Sequence, residues 1–181
     1  MAKQEVVFGI YATRSGMENV VSALKDAGFA NTDVSILFPE SLGTGELTTE
    51  KSSKAPEGAA AGAGSGFLLG GALGWFVGVG ALAIPGVGPL IAAGPILAAL
   101  AGAGIGSAVG GVAGAMVGMG IPEYEAKKYE ERVSGGNILM SVHCESAEQR
   151  ERAKIVLEET GAEDISATTE STQGLGKAHS Y

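Results

Sequence analysis

From Gly58 through Pro122 the chain has no Lys, Arg, Asp or Glu, a gap of 65 residues in a protein of 181. That absence excludes one soluble domain of even composition, because charged residues normally make up about a quarter of a globular domain. Cysteine is nearly absent too. Cys144 stands alone, which excludes an internal disulfide framework and a Cys-rich metal site and fits a reducing compartment. Positive charge is scarce, with 12 Lys and Arg against 20 Asp and Glu for a net charge of −8. No basic stripe is present, so nucleic acid is not an expected partner. The N-terminus does not read as a secretory leader: Val6 to Ala12 is a short apolar stretch behind Lys3 and Glu5, followed by Arg14 rather than a cleavage site.

Catalytic signatures are missing as well. The Gly86-Val-Gly88 triplet lies between Pro85 and Pro89 without a lysine, so it is no phosphate loop. Other G-x-G triplets follow from composition. His143 and Cys144 are neighbours in a strand-like run, so their side chains point to opposite faces and cannot share a metal. The sequence therefore predicts no catalytic, cofactor-binding or metal-ligating residues, and no enzyme.

What is present is two arms of similar design. Residues 1–39 read as strand, helix, strand. Val6-Val7-Phe8-Gly9-Ile10-Tyr11 is rich in β-formers. Ser15 and Glu18 have capping-box spacing, Met17, Val20, Val21 and Leu24 fall at helical spacing, Gly28 sits at a C-cap position, and Val34 to Phe38 forms the second strand, stopped by Pro39. Residues 136–170 repeat the plan: a strand at Ile138–Cys144, a capping box from Ser146 to Gln149, a helix with Ala153, Val156 and Leu157 inward, a stop at Gly161, and a strand at Asp164–Thr168. Leu24-x-Asp26-x-Gly28 followed by Asp33-Val34-Ser35 matches Leu157-x-Glu159-x-Gly161 followed by Asp164-Ile165-Ser166. Two βαβ halves predict an α+β, split ferredoxin-like domain. Each half alone buries too little to be stable, so the halves must meet in space.

Between them, 40–57 reads as a linker, 58–121 as an apolar helical hairpin, and 122–135 as a connector helix; 171–181 reads as a disordered tail. Two helices, near 58–84 and 90–121, would join at Pro85, Gly86, Gly88 and Pro89, because proline breaks a helix interior. Gly62, Gly66, Gly70, Gly74 and Gly78 recur every fourth residue, and Gly102, Gly106, Gly110, Gly114 and Gly118 do the same. Such small-residue spacing lets helices approach closely in lipid. Sixty-five uncharged residues suffice for two membrane crossings of about 20 residues each. Lys51, Lys54, Lys127, Lys128 and Arg132 flank the hairpin and put both arms on the cytoplasmic side of a bacterial inner membrane, with a cytoplasmic location as the alternative. The glycine stripe drifts around each helix, which predicts self-association into a homo-oligomer as well as contact with lipid.

On the last strand pair, Cys144, Ile138, Met140 and Val142 are expected to face the helices. Ser141 and His143, with Tyr11, are expected on an opposite, open face that could take a partner or small ligand. The run Ala83-Ile-Pro-Gly-Val-Gly-Pro89, the Ala92-Ala-Gly-Pro95 segment, and Gly120-Ile-Pro-Glu-Tyr-Glu-Ala-Lys-Lys-Tyr-Glu130 resemble bacterial general stress (heat-induced stress) proteins with a glycine-rich centre. That resemblance implies a membrane-linked stress protein without catalytic residues. The resulting expectation is a non-enzymatic, membrane-associated structural or stress-response protein. Two alternatives stand beside it: a soluble scaffold or filament that buries the hairpin between subunits, and a small-ligand regulatory module.

Overall fold

The computed structural model describes residues 5–44, 80–84, 87–95, 111–118 and 120–169. They form six strands and five helices: β1 (Glu5–Tyr11), α1 (Arg14–Asp26), β2 (Val34–Pro39), α2 (Glu40–Thr44), β3 (Gly80–Ile84), β4 (Gly88–Ala93), α3 (Val112–Gly118), α4 (Glu123–Ser134), β5 (Ile138–Cys144), α5 (Ala147–Glu159) and β6 (Glu163–Thr169). The strands make one antiparallel sheet in the order β3-β4-β2-β5-β1-β6. The two arms meet as expected: β1 lies between β5 and β6, with Val7 opposite Val142 on one side and Ala167 on the other.

Helices cover both faces. On the first, α1 and α5 bury Met17, Val20, Leu24, Ala153 and Leu157 against Val7, Tyr11, Ile36, Met140, Val142 and Cys144. Each fully buried Val or Leu side chain contributes about 1.5–3 kcal/mol by leaving water. On the second, α3 and α4 bury Val112, Met116, Ala126, Tyr129 and Val133 against Val6, Phe8, Ile10, Leu37, Leu90 and Leu139. The Phe8 and Tyr129 rings meet at 5.8 Å between centroids, within the range of favourable aromatic pairs.

Local chemistry sets the helix ends. The cap of α1 is Thr13, whose Oγ1 accepts from Gly16 N at 3.2 Å. Ser15, the expected cap, lies inside the helix, and Glu18 pairs instead with Arg14 one turn back. In α5, Ser146 caps as expected: its Oγ accepts from Gln149 N, while Gln149 Oε1 accepts from Glu145 N at 2.7 Å. Both helices end on a left-handed glycine, Gly28 (φ 88) and Gly161 (φ 84). The next residue's N–H reaches back to Leu24 O and Leu157 O respectively, which satisfies carbonyls that would otherwise lack partners.

The centre of the chain departs from the two-helix reading. Residues 80–84 and 88–93, expected as the last turns of one helix and the first of the next, pair as the antiparallel hairpin β3–β4. The expected turn residues mark that hairpin: Gly88 (φ 97) opens β4 and Pro89 follows it, while Pro85 and Gly86 lie outside the described residues. The physical reason lies in β4's two-sided burial. Leu90 and Ala92 face α3 and α4, while Ile91 and Ala93 face the α1 side. A strand buried on both faces reads as a continuous apolar run, not an alternating one. A helix through 80–93 would also carry Gly80, Gly86 and Gly88 at a cost of about 1 kcal/mol each. No helix among the described residues is long and apolar enough to cross a membrane, so the expectation of transmembrane helices is corrected within them; 58–79 and 96–110 of the expected hairpin lie outside the described residues. The stretch expected as a linker begins with the short α2, which lies against β2 and β4. The tail at 171–181 lies outside the described residues.

Candidate interaction surface

The expected open face is not open. Its three named residues separate. Tyr11 is only 2% exposed and lies on the α1–α5 face, because the register sets it opposite Ile138, and Val7 opposite Val142. Directly paired residues share a face. The Tyr11 hydroxyl shares a hydrogen bond with Thr160 Oγ1 at 2.7 Å, and burial pushes its pKa up to about 12 against that hydrogen bond. Ser141 is 2% exposed and stands opposite Phe8 and Ser35. His143 is half-buried at the end of the same face, and its backbone N–H donates to Asp33 O at 2.7 Å. Cys144 packs against the helices as expected, and burial together with the Glu5 and Asp33 carboxylates pushes its thiol up to about 11. A thiol so buried is a core side chain and not a nucleophile.

The face opposite α1 and α5 is closed by the α3–α4 pair, which two contacts hold in place. Glu130 on α4 accepts from Ala113 N at 2.6 Å through Oε2. Its carboxylate also lies against Gly111 (φ 97), where an added Cβ would come within 3.1 Å of it. This contact ties the start of α3 to α4. The second contact is at β6. Asp164 holds a left-handed backbone (φ 52), and the β1–β6 register shifts between Phe8 and Ile10. Such a bulge turns one side chain and carbonyl out of the ladder. Here the Asp164 carbonyl accepts from the Tyr129 hydroxyl at 2.7 Å. Its carboxylate accepts from Arg132 Nε at 2.9 Å and from Lys128 Nζ. The Lys128 and Arg132 cations hold the Asp164 carboxyl below the usual carboxylate range, against a smaller effect of burial. Tyr129 is a core side chain, with its pKa pushed up to about 12 by burial. Sequence reasoning missed this layer, although Ala126, Tyr129 and Val133 carry its helical spacing.

The ten glycines expected to pack helices are mostly beyond view. Gly62, Gly66, Gly70, Gly74, Gly78, Gly102, Gly106 and Gly110 lie outside the described residues. Gly114 and Gly118 sit in α3, and Gly118 is exposed with nothing within 4 Å of an added Cβ. Among the described residues no three His, Cys, Asp or Glu group as metal ligands. Among the described residues the large apolar side chains left in solvent are Val117 (39% exposed), Tyr124 (80%) and Ile155 (53%). What the surface offers, therefore, is contact area and two sheet edges.

A family model matches residues 5–167, and it describes one subunit of a larger assembly. It takes in both arms and the charge-free centre as one unit. The family is ActD, the ActD subunit of alternative complex III, and this chain belongs to it. The resemblance to general stress proteins is thereby corrected, and with it the stress-response reading. Its motifs at 83–95 and 120–130 lie inside the ActD match. Self-association likewise gives way to partners that are the other subunits of the complex. No curated protein and no solved structure matches the chain.

Proposed function

We propose that this chain is a non-catalytic subunit of alternative complex III, a membrane-associated respiratory complex, and that its α/β domain is a docking platform for other subunits. The observation that carries this reading is the family match over 5–167. The surface agrees with it: the ion pairs of α4 and β6 tie the domain's own elements together, and exposed side chains such as Tyr124 are left for contact. The order β2-β5-β1-β6, with α1 and α5 on one face, supports reading the two arms as a ferredoxin-like unit. That unit is extended at the β2 side by the β3–β4 hairpin, which comes from within the 58–121 stretch. The four-residue glycine spacing at Gly62–Gly78 and Gly102–Gly118 suits close backbone approach, and we take those positions as contacts to neighbouring subunits.

The test is affinity purification of the tagged chain from detergent-solubilised membranes. The expected result is co-purification of other alternative complex III subunits in fixed ratio. Recovery of the chain alone, at every detergent and salt condition that keeps the complex intact, refutes the assignment.

A further inference from the structure

The hairpin β3–β4 and the junction of α3 with α4 meet the same end of the sheet. β3 starts at Gly80, opposite Ala92, and runs away from that end to Ile84; β4 runs toward it and stops at Ala93. The next residue, Gly94, lies so close to Val34 that an added Cβ would meet its carbonyl oxygen at 2.3 Å. Val34 opens β2 and pairs with Val142 near the end of β5. The α3–α4 junction is held at this end too, because Gly120 O accepts from Thr168 Oγ1 at 3.3 Å and Thr168 pairs with Val6 near the start of β1. In the sequence, the uncharged stretch 58–79 precedes β3 and the uncharged stretch 96–110 follows β4, so each is joined to the sheet at this end. The opposite end differs. There α2 follows Pro39, and the residues after α2 include Glu46, Glu50, Lys51, Lys54 and Glu57.

We propose that the α3–α4 junction is the part of the domain that rests on the lipid bilayer, with Tyr124 at headgroup level. This inference rests on the reading of the chain as a subunit of a membrane-associated complex. Val117, Gly118, Gly120, Pro122 and Tyr124 are all exposed around the junction, and no charged residue occurs there before Glu123. Tyrosine, with an apolar ring and a polar hydroxyl, is enriched where membrane meets water. What favours a bilayer over a protein partner is the company of the junction: the two uncharged stretches, which include Phe67, Trp75, Phe76, Ile96 and Leu100, are joined to the sheet on the same side. The charges nearby give no net attraction to anionic lipid. Lys127 pairs with Glu123 at 2.7 Å, Lys128 pairs with Asp164, and Asp33 and Glu145 border the same end, beside β2 and β5. The contact is therefore apolar burial against zwitterionic lipid, which salt does not screen.

The test uses the full-length chain with Tyr124→Cys or, leaving the tyrosine in place, Val117→Cys, and a fluorophore attached at that position. Ile155→Cys is the reference site, exposed on α5 across the sheet, and the buried Cys144 stays unlabelled. Each chain is recovered with its complex and reconstituted in phosphatidylcholine vesicles that contain headgroup spin-labelled phosphatidylcholine. All three sites are exposed, so the variants should unfold at the wild-type temperature. The fluorophores at 117 and 124 are expected to be quenched severalfold more than the one at 155, equally at low and high salt and with no gain when phosphatidylglycerol is included. Quenching no greater than at 155 overturns the proposal: if aqueous iodide reaches the fluorophore instead, the junction faces water, and if neither quencher reaches it, another subunit covers it. Quenching that requires phosphatidylglycerol and vanishes in salt also overturns it. If wild-type chain recovers the other subunits and the junction is not quenched, the lipid contact fails alone. If wild-type chain recovers none, the subunit reading fails before any lipid is tested.

Discussion

The Tyr129 hydroxyl donates to the backbone carbonyl of Asp164 at 2.7 Å and shares a second bond of the same length with Ser166 Oγ. A core helix is thereby tied to a strand at the point where that strand's backbone leaves the ladder. Removing the hydroxyl leaves that partly buried carbonyl without its donor. Tyr129→Phe should cost about 1–3 kcal/mol, and Tyr129→Ala, which also empties a core position, about 3–5 kcal/mol. Chemical denaturation of the purified domain measures both. Equal stability of Tyr129→Phe and wild type would show that the bond contributes nothing.

Asp164 combines a left-handed backbone with an ion-paired carboxylate, and substitutions separate the two. Asp164→Asn keeps a residue type that tolerates φ > 0 and loses only charge. Asp164→Val adds a β-branched side chain to that backbone and should be the more destabilising. Equal unfolding midpoints for the two variants would argue that the backbone conformation is unstrained.

Stability against pH has a sign on each side. The folded Asp164 carboxyl lies below its ordinary value of 3.8, so its contribution is present above that value and is lost as pH falls through the lower folded one. Asp164→Asn should flatten that acid limb. At the other end, Tyr11 and Tyr129 are raised from 10.0 to about 12. Their neutral forms are favoured by folding, so that stability is present below pH 10 and falls as pH rises toward 12. Thermal unfolding across pH 2–5 and 9–12 tests both limbs; a flat alkaline limb would contradict the burial of the two phenols.

Two glycines should respond in opposite directions. An added Cβ at Gly94 (φ 81) would lie 2.3 Å from Val34 O, so Gly94→Ala should destabilise by about 1–3 kcal/mol or more. At Gly118 nothing lies within 4 Å, and Gly118→Ala should stabilise the domain by up to about 1 kcal/mol. The same change should weaken recovery of other subunits if Gly118 is a close-approach position. A loss of domain stability in Gly118→Ala would contradict the open space around it.

Cys144 should resist thiol reagents in the folded protein. It is buried and its thiol is raised to about 11, which leaves little thiolate at pH 8. Labelling should proceed only at the rate of unfolding; rapid modification of native protein would refute that burial.

The arms were legible because their signals are local. Met17, Val20, Val21 and Leu24 define the buried stripe of α1, and Gly28 and Gly161 end their helices. The centre was not legible, because Leu90 and Ile91 are buried on opposite faces of one strand and lose the alternation that would mark it. Tyr11 was set on the wrong face for a related reason. Each strand shows which residues alternate, but only the pairing of Tyr11 with Ile138 says which alternate set joins which helix. The closing layer was legible in principle through Ala126, Tyr129 and Val133, but the charges around them, Lys127, Lys128 and Arg132, suggested a solvated connector. Those charges turn out to serve Glu123 and Asp164.

The position of β1 between β5 and β6 sets a timetable for synthesis. β1 leaves the ribosome well before either of its neighbours. Tyr11 waits for Ile138, and Glu5 for Thr169, so at about 5–20 residues per second the apolar strand stands unpaired for on the order of ten seconds. During that interval the charge-free centre emerges beside it. The nascent chain thus exposes an apolar strand and an uncharged stretch at the same time, before the strands that pair with β1 have been made.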